Sequence, residues 1–163
     1  MIRRAVIEDA SRIAEIHVFG WRSAYRGLIS DEILFNILVS KRTESFRKAI
    51  SENIEETYVF DEDGIIKAFM TVGKSRNDDK NDAFELWGLY VEPLLKRQGI
   101  GTAMMNYCEK CAIERKYKDI ILWVFKRNEN SIMFYEKMGY QKEGKEEMID
   151  RFNEIEVRYS KIL

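Results

Sequence analysis

Leu86-Trp87-Gly88-Leu89-Tyr90-Val91, followed by Lys96-Arg97-Gln98-Gly99-Ile100-Gly101-Thr102, is the stretch whose reading decides the fold. The first part is an apolar run with the character of a strand. The second is a basic, glycine-containing turn, and a long helical pattern begins near Thr102. A helix start carries unsatisfied N–H groups and the positive end of the helix dipole. Glycines remove side-chain bulk, so a turn of this kind can wrap a pyrophosphate. Two familiar phosphate turns do not fit. The dinucleotide fingerprint needs a third glycine where Met104 stands, and the P-loop needs a Gly-Lys-Ser/Thr that never follows Gly99.

On the N-terminal side, residues 2–8 read as a short strand, and Asp9 is placed to cap a helix over 10–25. Ile13, Ile16, His17, Gly20, Trp21 and Ala24 share one face of that helix. Ser30-Asp31-Glu32 opens a second helical region, and a further helix covers about 41–52. A strand at 57–60 turns through Asp61-Glu62-Asp63-Gly64 into a returning strand at 65–72. Residues 74–82 form a polar loop before the strand at 83–91.

After the turn, a helix over 99–116 leads to a buried strand at 119–125. A short helix over 131–138 follows, and strands at 140–149 and 154–162 close the chain. This order is neither a doubly wound alternation nor an all-antiparallel pattern. It predicts the α/β (α+β) class, with one mixed, mostly antiparallel central sheet of about seven strands and helices on both faces.

The 163 residues suit a single domain, residues 1–163. A 45% apolar content can fill a sizeable core. With 27 basic against 28 acidic residues, the net charge of −1 makes no case for nucleic-acid or membrane attraction. No run approaches the roughly 20 apolar residues of a membrane span. The first residues place acids before any apolar segment, so a cytoplasmic protein without a signal peptide is expected. Cys108 and Cys111 form a C-x-x-C inside a helix, away from the helix start that would stabilise a thiolate. Free thiols, buried or half-buried, are expected there, and no metal site.

Val91-Glu92-Pro93 through Lys96-Arg97-Gln98-Gly99-Ile100-Gly101 resembles the acetyl-CoA-binding motif of the GCN5-related N-acetyltransferases, Q/R-x-x-G-x-G/A after a strand. Asn128-x-x-Ser131-x-x-Phe134-Tyr135-Glu136-Lys137-Met138-Gly139-Tyr140 is similar to a second segment of that family, in the right order. Lys96 departs from the usual Gln or Arg, keeping the charge but losing the forked geometry. The resemblance implies the acyl-CoA N-acyltransferase fold and transfer of acetyl from acetyl-CoA to an amine in a ternary complex. The alternative is a catalytically silent acyl-CoA-binding module. The co-substrate is expected along Leu89, Tyr90 and Val91, over Lys96, Arg97, Gln98, Gly99, Ile100, Gly101 and Thr102, and beside Asn128, Ser131, Phe134 and Tyr135. Asn128 equally suits a helix cap.

The reaction needs a deprotonated amine, a stabilised oxyanion and a protonated leaving thiolate. The resemblance assigns the last of these to Tyr135, whose phenol has a reference pKa of about 10 against about 8.5 for a free thiol. The alternative for Tyr135 is a core aromatic. Glu85 matches a strand glutamate that some relatives use as base, and desolvation would suit it to that work. The alternatives are an exposed glutamate on the sheet face that holds a structural hydrogen bond, and a water chain. Where relatives can carry a second base this chain has Trp123. The oxyanion donor is expected to be a backbone N–H near Tyr90, where the family's strand parts from its neighbour at a bulge that suits Gly88. Trp21, Tyr25 and Trp87 are expected to line the acceptor site, where aromatic walls suit a small-molecule or peptide amine. They equally suit core filling. His17, the only histidine, reads as a core or helix-surface residue rather than a base, placed to contact substrate if its helix borders the acceptor site. The late strands offer an edge for a possible homodimer.

Overall fold

The computed structural model describes residues 1–163. One sheet holds β1 (Ile2–Arg4), β2 (Glu56–Glu62), β3 (Ile65–Lys74), β4 (Phe84–Val91), β5 (Asp119–Phe125), β6 (Gln141–Ile149) and β7 (Glu154–Ile162). The helices are α1 (Ala10–Tyr25), α2 (Asp31–Asn36), α3 (Val39–Ser51), α4 (Ile100–Glu114) and α5 (Glu129–Lys137). The strand order is β1-β2-β3-β4-β5-β7-β6. Every neighbouring pair is antiparallel except β4 with β5. Parallel neighbours need a long crossover, and α4 supplies it. The sheet is therefore mixed and mostly antiparallel, as its element order predicts.

Side chains alternate across each strand, and both faces are apolar. Ala68, Met70 and Val72 of β3 point to one face and pack with Met104, Met105, Cys108 and Ala112 of α4. Val59 and Phe69 point to the other and pack with Ala10, Ile13 and Ala14 of α1 and Phe46 of α3. Each fully buried Leu, Ile, Met or Phe contributes about 1.5–3 kcal/mol. Burial on both sides fixes the register, since a slip of one residue would exchange the two faces. Cys108 and Cys111 are free and buried on the inner side of α4, and burial pushes both thiols up. No helix is long and apolar enough to cross a membrane.

Local boundaries differ from expectation where side chains compete for the backbone. The first strand stops at Arg4, and Ile7–Asp9 forms a tight 3-10 turn. Asp9 does not cap α1 through its side chain. Its carboxylate instead accepts the Val6 N–H at 2.8 Å and two Arg3 N–H groups at 2.7 and 3.0 Å. That fork pins the turn to β1. The last helix begins at Glu129, two residues early, because Asn128 caps it by accepting the Ser131 N–H at 3.3 Å.

His17 is buried among Trp21, Phe46, Phe69 and Tyr90, with ring centroids 5.0–6.3 Å away. Its Nδ1 has no hydrogen-bond partner. Burial, aided by the charge of Arg42, pushes its pKa down to about 3. The unfolded chain therefore takes up a proton near pH 6.5 that the folded chain refuses until about pH 3. Stability falls as pH drops through that window, by up to about 1.4 kcal/mol per pH unit from this group. Urea unfolding of His17→Leu at pH 7 and pH 5 should show a smaller acid loss than the wild type. An equal loss would mean that His17 is not held neutral.

Candidate active site

The sheet opens at its centre. β4 and β5 pair at Phe84↔Ile120, Glu85↔Ile121 and Leu86↔Leu122, and no further. On its other side β4 stays paired with β3 to its end, at Ala68↔Val91. Thr71 pairs with Gly88 and Val72 with Leu86, which leaves Trp87 as an extra residue in β4. A bulge of this kind bends the strand and increases its twist. β5 meanwhile continues to Phe125 against β7. From Trp87 onward the two central strands form a V, and Leu89, Tyr90 and Val91 face a gap instead of a neighbour.

The basic turn sits at the mouth of this V. Arg97 has φ +65° and Gly99 φ +82°, so two residues of the turn take the left-handed conformation. A Cβ on Gly99 would meet nothing within 4 Å, so its glycine answers to backbone geometry. Gly99 is the N-cap of α4, no side chain caps it, and no acid lies in the first turn. Its first internal bond is the Ala103 N–H to the Gly99 carbonyl, so the N–H groups of Gly99, Ile100, Gly101 and Thr102 lack helical partners. Lys96, Arg97, Gln98 and Gly99 are all exposed. Open N–H groups, a positive dipole end and two cations suit a diphosphate. Gly101 also permits close packing. A Cβ there would lie 3.4 Å from the Phe134 ring, so its absence lets α5 close on the start of α4.

Tyr135 projects from α5 into the core on the α4 face and is 9% exposed. Burial, then the nearby Tyr90 and Cys108, push its phenol well above the ordinary range. Asn128, 8% exposed, has its side-chain oxygen engaged as the α5 cap, with Ser131 one turn on.

Glu85 lies on the opposite face and is 1% exposed. Its carboxylate accepts the Arg76 N–H at 2.8 Å, Arg76 Nη2 at 2.6 Å and Nε at 3.2 Å, and Asn77 Nδ2 at 3.3 Å. Arg76 also lies over the Trp87 ring at 4.5 Å, and that ring covers Gly73 so closely that a Cβ would sit 2.8 Å from it. The loop before β4 is thus a strap tied across the sheet. Asn77 accepts from Trp123 Nε1 at 3.1 Å, Asp79 pairs with Arg158 at 2.8 Å, and Lys80 pairs with Asp119 at 2.7 Å.

Trp21 and Tyr25 meet at 4.8 Å and pack with Phe125 and Phe152. Trp21 Nε1 donates to the Tyr90 hydroxyl at 3.0 Å. The structure therefore brings Trp21, Tyr25 and Tyr90 together, and it places Trp87 apart from them under Arg76. Phe152 and Glu156 join this face, although nothing in the sequence singles them out. Glu156 stands opposite Phe125 in the β5–β7 register, and its place in an alternating strand is the one signal the sequence offers.

A sheet opened between its two parallel strands, with a bare helix start at the mouth, offers a site for an extended ligand that carries a diphosphate. The profile of the Acetyltransferase (GNAT) family matches residues 29–140. The uncharacterized N-acetyltransferase YuaI of Bacillus subtilis (strain 168) is 30% identical over 136 residues, which is 83% of this chain and 76% of that protein. The PaiA N-acetyltransferase of Thermoplasma acidophilum, solved in complex with coenzyme A, shares the fold at TM-score 0.80 and 21% identity, covering 100% of this chain and 98% of that one. YncA of Salmonella typhimurium, solved with its cofactor acetyl-CoA, shares it at TM-score 0.72 and 16% identity, covering 100% and 93%. The chain belongs to the GNAT family of acetyltransferases, which use acetyl-CoA as co-substrate.

Forcing a side chain into the left-handed region at Gly99 should cost about 1–2 kcal/mol. Gly99→Ala should show that loss in denaturant unfolding and bind coenzyme A at least fivefold more weakly by calorimetry. Unchanged coenzyme A affinity would mean that the turn does not hold the co-substrate.

Proposed function

We propose that this chain acetylates the amine of a small molecule or peptide, with Tyr135 protonating the leaving sulfur. The observation that carries the reading is the gap between β4 and β5, which has the bare start of α4 at its mouth and Tyr135 on the helix across from it. Acetyl-CoA, when bound, supplies the acetyl thioester. The N–H groups of Gly99 to Thr102, with Lys96 and Arg97, hold the diphosphate. Leu89 to Val91 offer strand backbone to the extended part of the co-substrate, because no strand occupies that side. The acceptor enters from the α1 face, past Trp21 and Tyr25.

The phenol of Tyr135 makes no hydrogen bond to the protein, so its proton is free for a ligand atom. Raised by burial, it stays protonated through the working range and is a donor throughout. Glu85 has a different setting. Four donors fill its lone pairs, and its partner Arg76 ties down the strap. Glu85 therefore serves to position that wall, and the amine proton leaves by another acceptor or by water.

Release of free thiol from acetyl-CoA in the presence of an amine panel tests the reading. Turnover with at least one amine is expected. Tight coenzyme A binding with no turnover on any amine would instead identify a silent binding module. Tyr135→Phe should lower kcat at least tenfold while leaving coenzyme A affinity within twofold. Because the phenol stays protonated, wild-type kcat/KM should climb with pH as the acceptor amine loses its proton, with no alkaline fall below pH 9. An unchanged kcat in the variant would remove Tyr135 from this role.

A further inference from the structure

The strap and the ends of β6 and β7 enclose a cleft of about 480 Å³ on the acceptor face. Five carboxylates line it against two cations, Arg76 and Lys145. Two of the five are already spoken for. Glu85 is held by Arg76, and Asp79 by Arg158 and Lys145. Asp78, Glu147 and Glu156 form no ion pair. Asp78 and Glu147 are the more open to water, which screens them. Glu156 is half-buried and has neither an ion pair nor a hydrogen bond from any side chain.

Its position makes that state expensive. Glu147 stands directly across from it in the β6–β7 register, and like charges so placed repel. Burial and then Glu147 raise its carboxyl above the ordinary range, against the weaker opposing pull of Arg76 and Arg151. Its charge also reaches the phenols of Tyr25 and Tyr90, on the aromatic wall beside the gap. Phe125, its neighbour on β5, packs against Tyr25 at 5.0 Å. A carboxylate without a partner, flanked by a like charge and walled by aromatic rings, is a complement to an alkylammonium ion.

We infer that Glu156 binds the ammonium group of the acceptor, and that this acceptor is a cationic amine carrying no carboxylate near the reacting nitrogen. The inference rests on the transferase reading above, because it assumes that the cleft is the acceptor's side of the gap. The uneven lining gives the same preference at longer range. An acceptor carboxylate would meet Asp78, Glu147 and Glu156, with Arg76 and Lys145 already paired and Arg151 the one unpaired cation acting on Glu156. Glu156 would then set specificity, while Tyr135 on the far side of the sheet sets the rate of the chemical step.

Calorimetric titration of the coenzyme A-loaded protein with 1,5-diaminopentane and with lysine tests this. The two probes differ by one carboxylate. The diamine should bind at least tenfold more tightly than lysine. Glu156→Gln should weaken the diamine at least tenfold and leave coenzyme A affinity within twofold. Because the substitution relieves repulsion by Glu147, the variant should melt no lower than the wild type, which separates a lost contact from a lost fold. Equal binding of the two probes, no binding of the diamine, or an unweakened Glu156→Gln would overturn the assignment. A protein that binds the diamine as described yet releases no thiol with any amine would overturn the transferase reading and leave Glu156 as the ammonium-binding residue of a silent module.

Discussion

The arrangement of the site depends on one short pairing. β4 and β5 are the only parallel neighbours in the sheet, and they stay together for three residues, from Phe84 to Leu86. Parallel pairing demands a crossover, so α4 must start at the end of β4 and run back over one face. Ending the pairing at Leu86 opens the sheet beside that helix start. The extra residue at Trp87 bends β4 away, while β5 follows β7. A longer pairing would close the gap, and an antiparallel one would remove the helix start from its mouth.

The two faces then divide the labour. The α4 face is an apolar core into which Tyr135 descends, so its phenol keeps its proton. The other face is built from α1, an aromatic cluster and a strap held by ion pairs. Arg76–Glu85, Asp79–Arg158 and Lys80–Asp119 each tie the strap to a different strand or register. Arg76 and Asp79 are exposed but their partners Glu85 and Arg158 are buried, so breaking either pair would leave a buried charge uncompensated. Jointly these pairs hold a polar wall over this side of the sheet.

The chain states much of this openly. Strand and helix periods, turn residues and the Gly99–Gly101 pair reveal the element order, the sheet class and the place of the basic turn. The later segment from Asn128 to Tyr140 reveals the last helix and the position of Tyr135. Other features stay hidden. Asp9 reads as a helix cap until Arg3, six residues earlier, is seen to claim its carboxylate. Arg97 gives no sign of a left-handed backbone, because that conformation belongs to glycine by default. Residues 74–82 read only as polar loop, since periodicity carries no information about pairs such as Asp79–Arg158, which lie 79 residues apart. Glu156 is hidden for the same reason: it matters through what it lacks, and a missing partner has no sequence pattern.

The central claim is that the co-substrate lies in the β4–β5 gap with its diphosphate on the turn. Titration of ¹⁵N-labelled protein with coenzyme A, followed by backbone amide resonances, tests it most directly. The account predicts the largest shifts at Arg97 to Thr102 and at Leu89 to Val91, with smaller ones around Tyr135. Shifts confined to the strap or to the α1–α2 connection, with the turn unmoved, would contradict it.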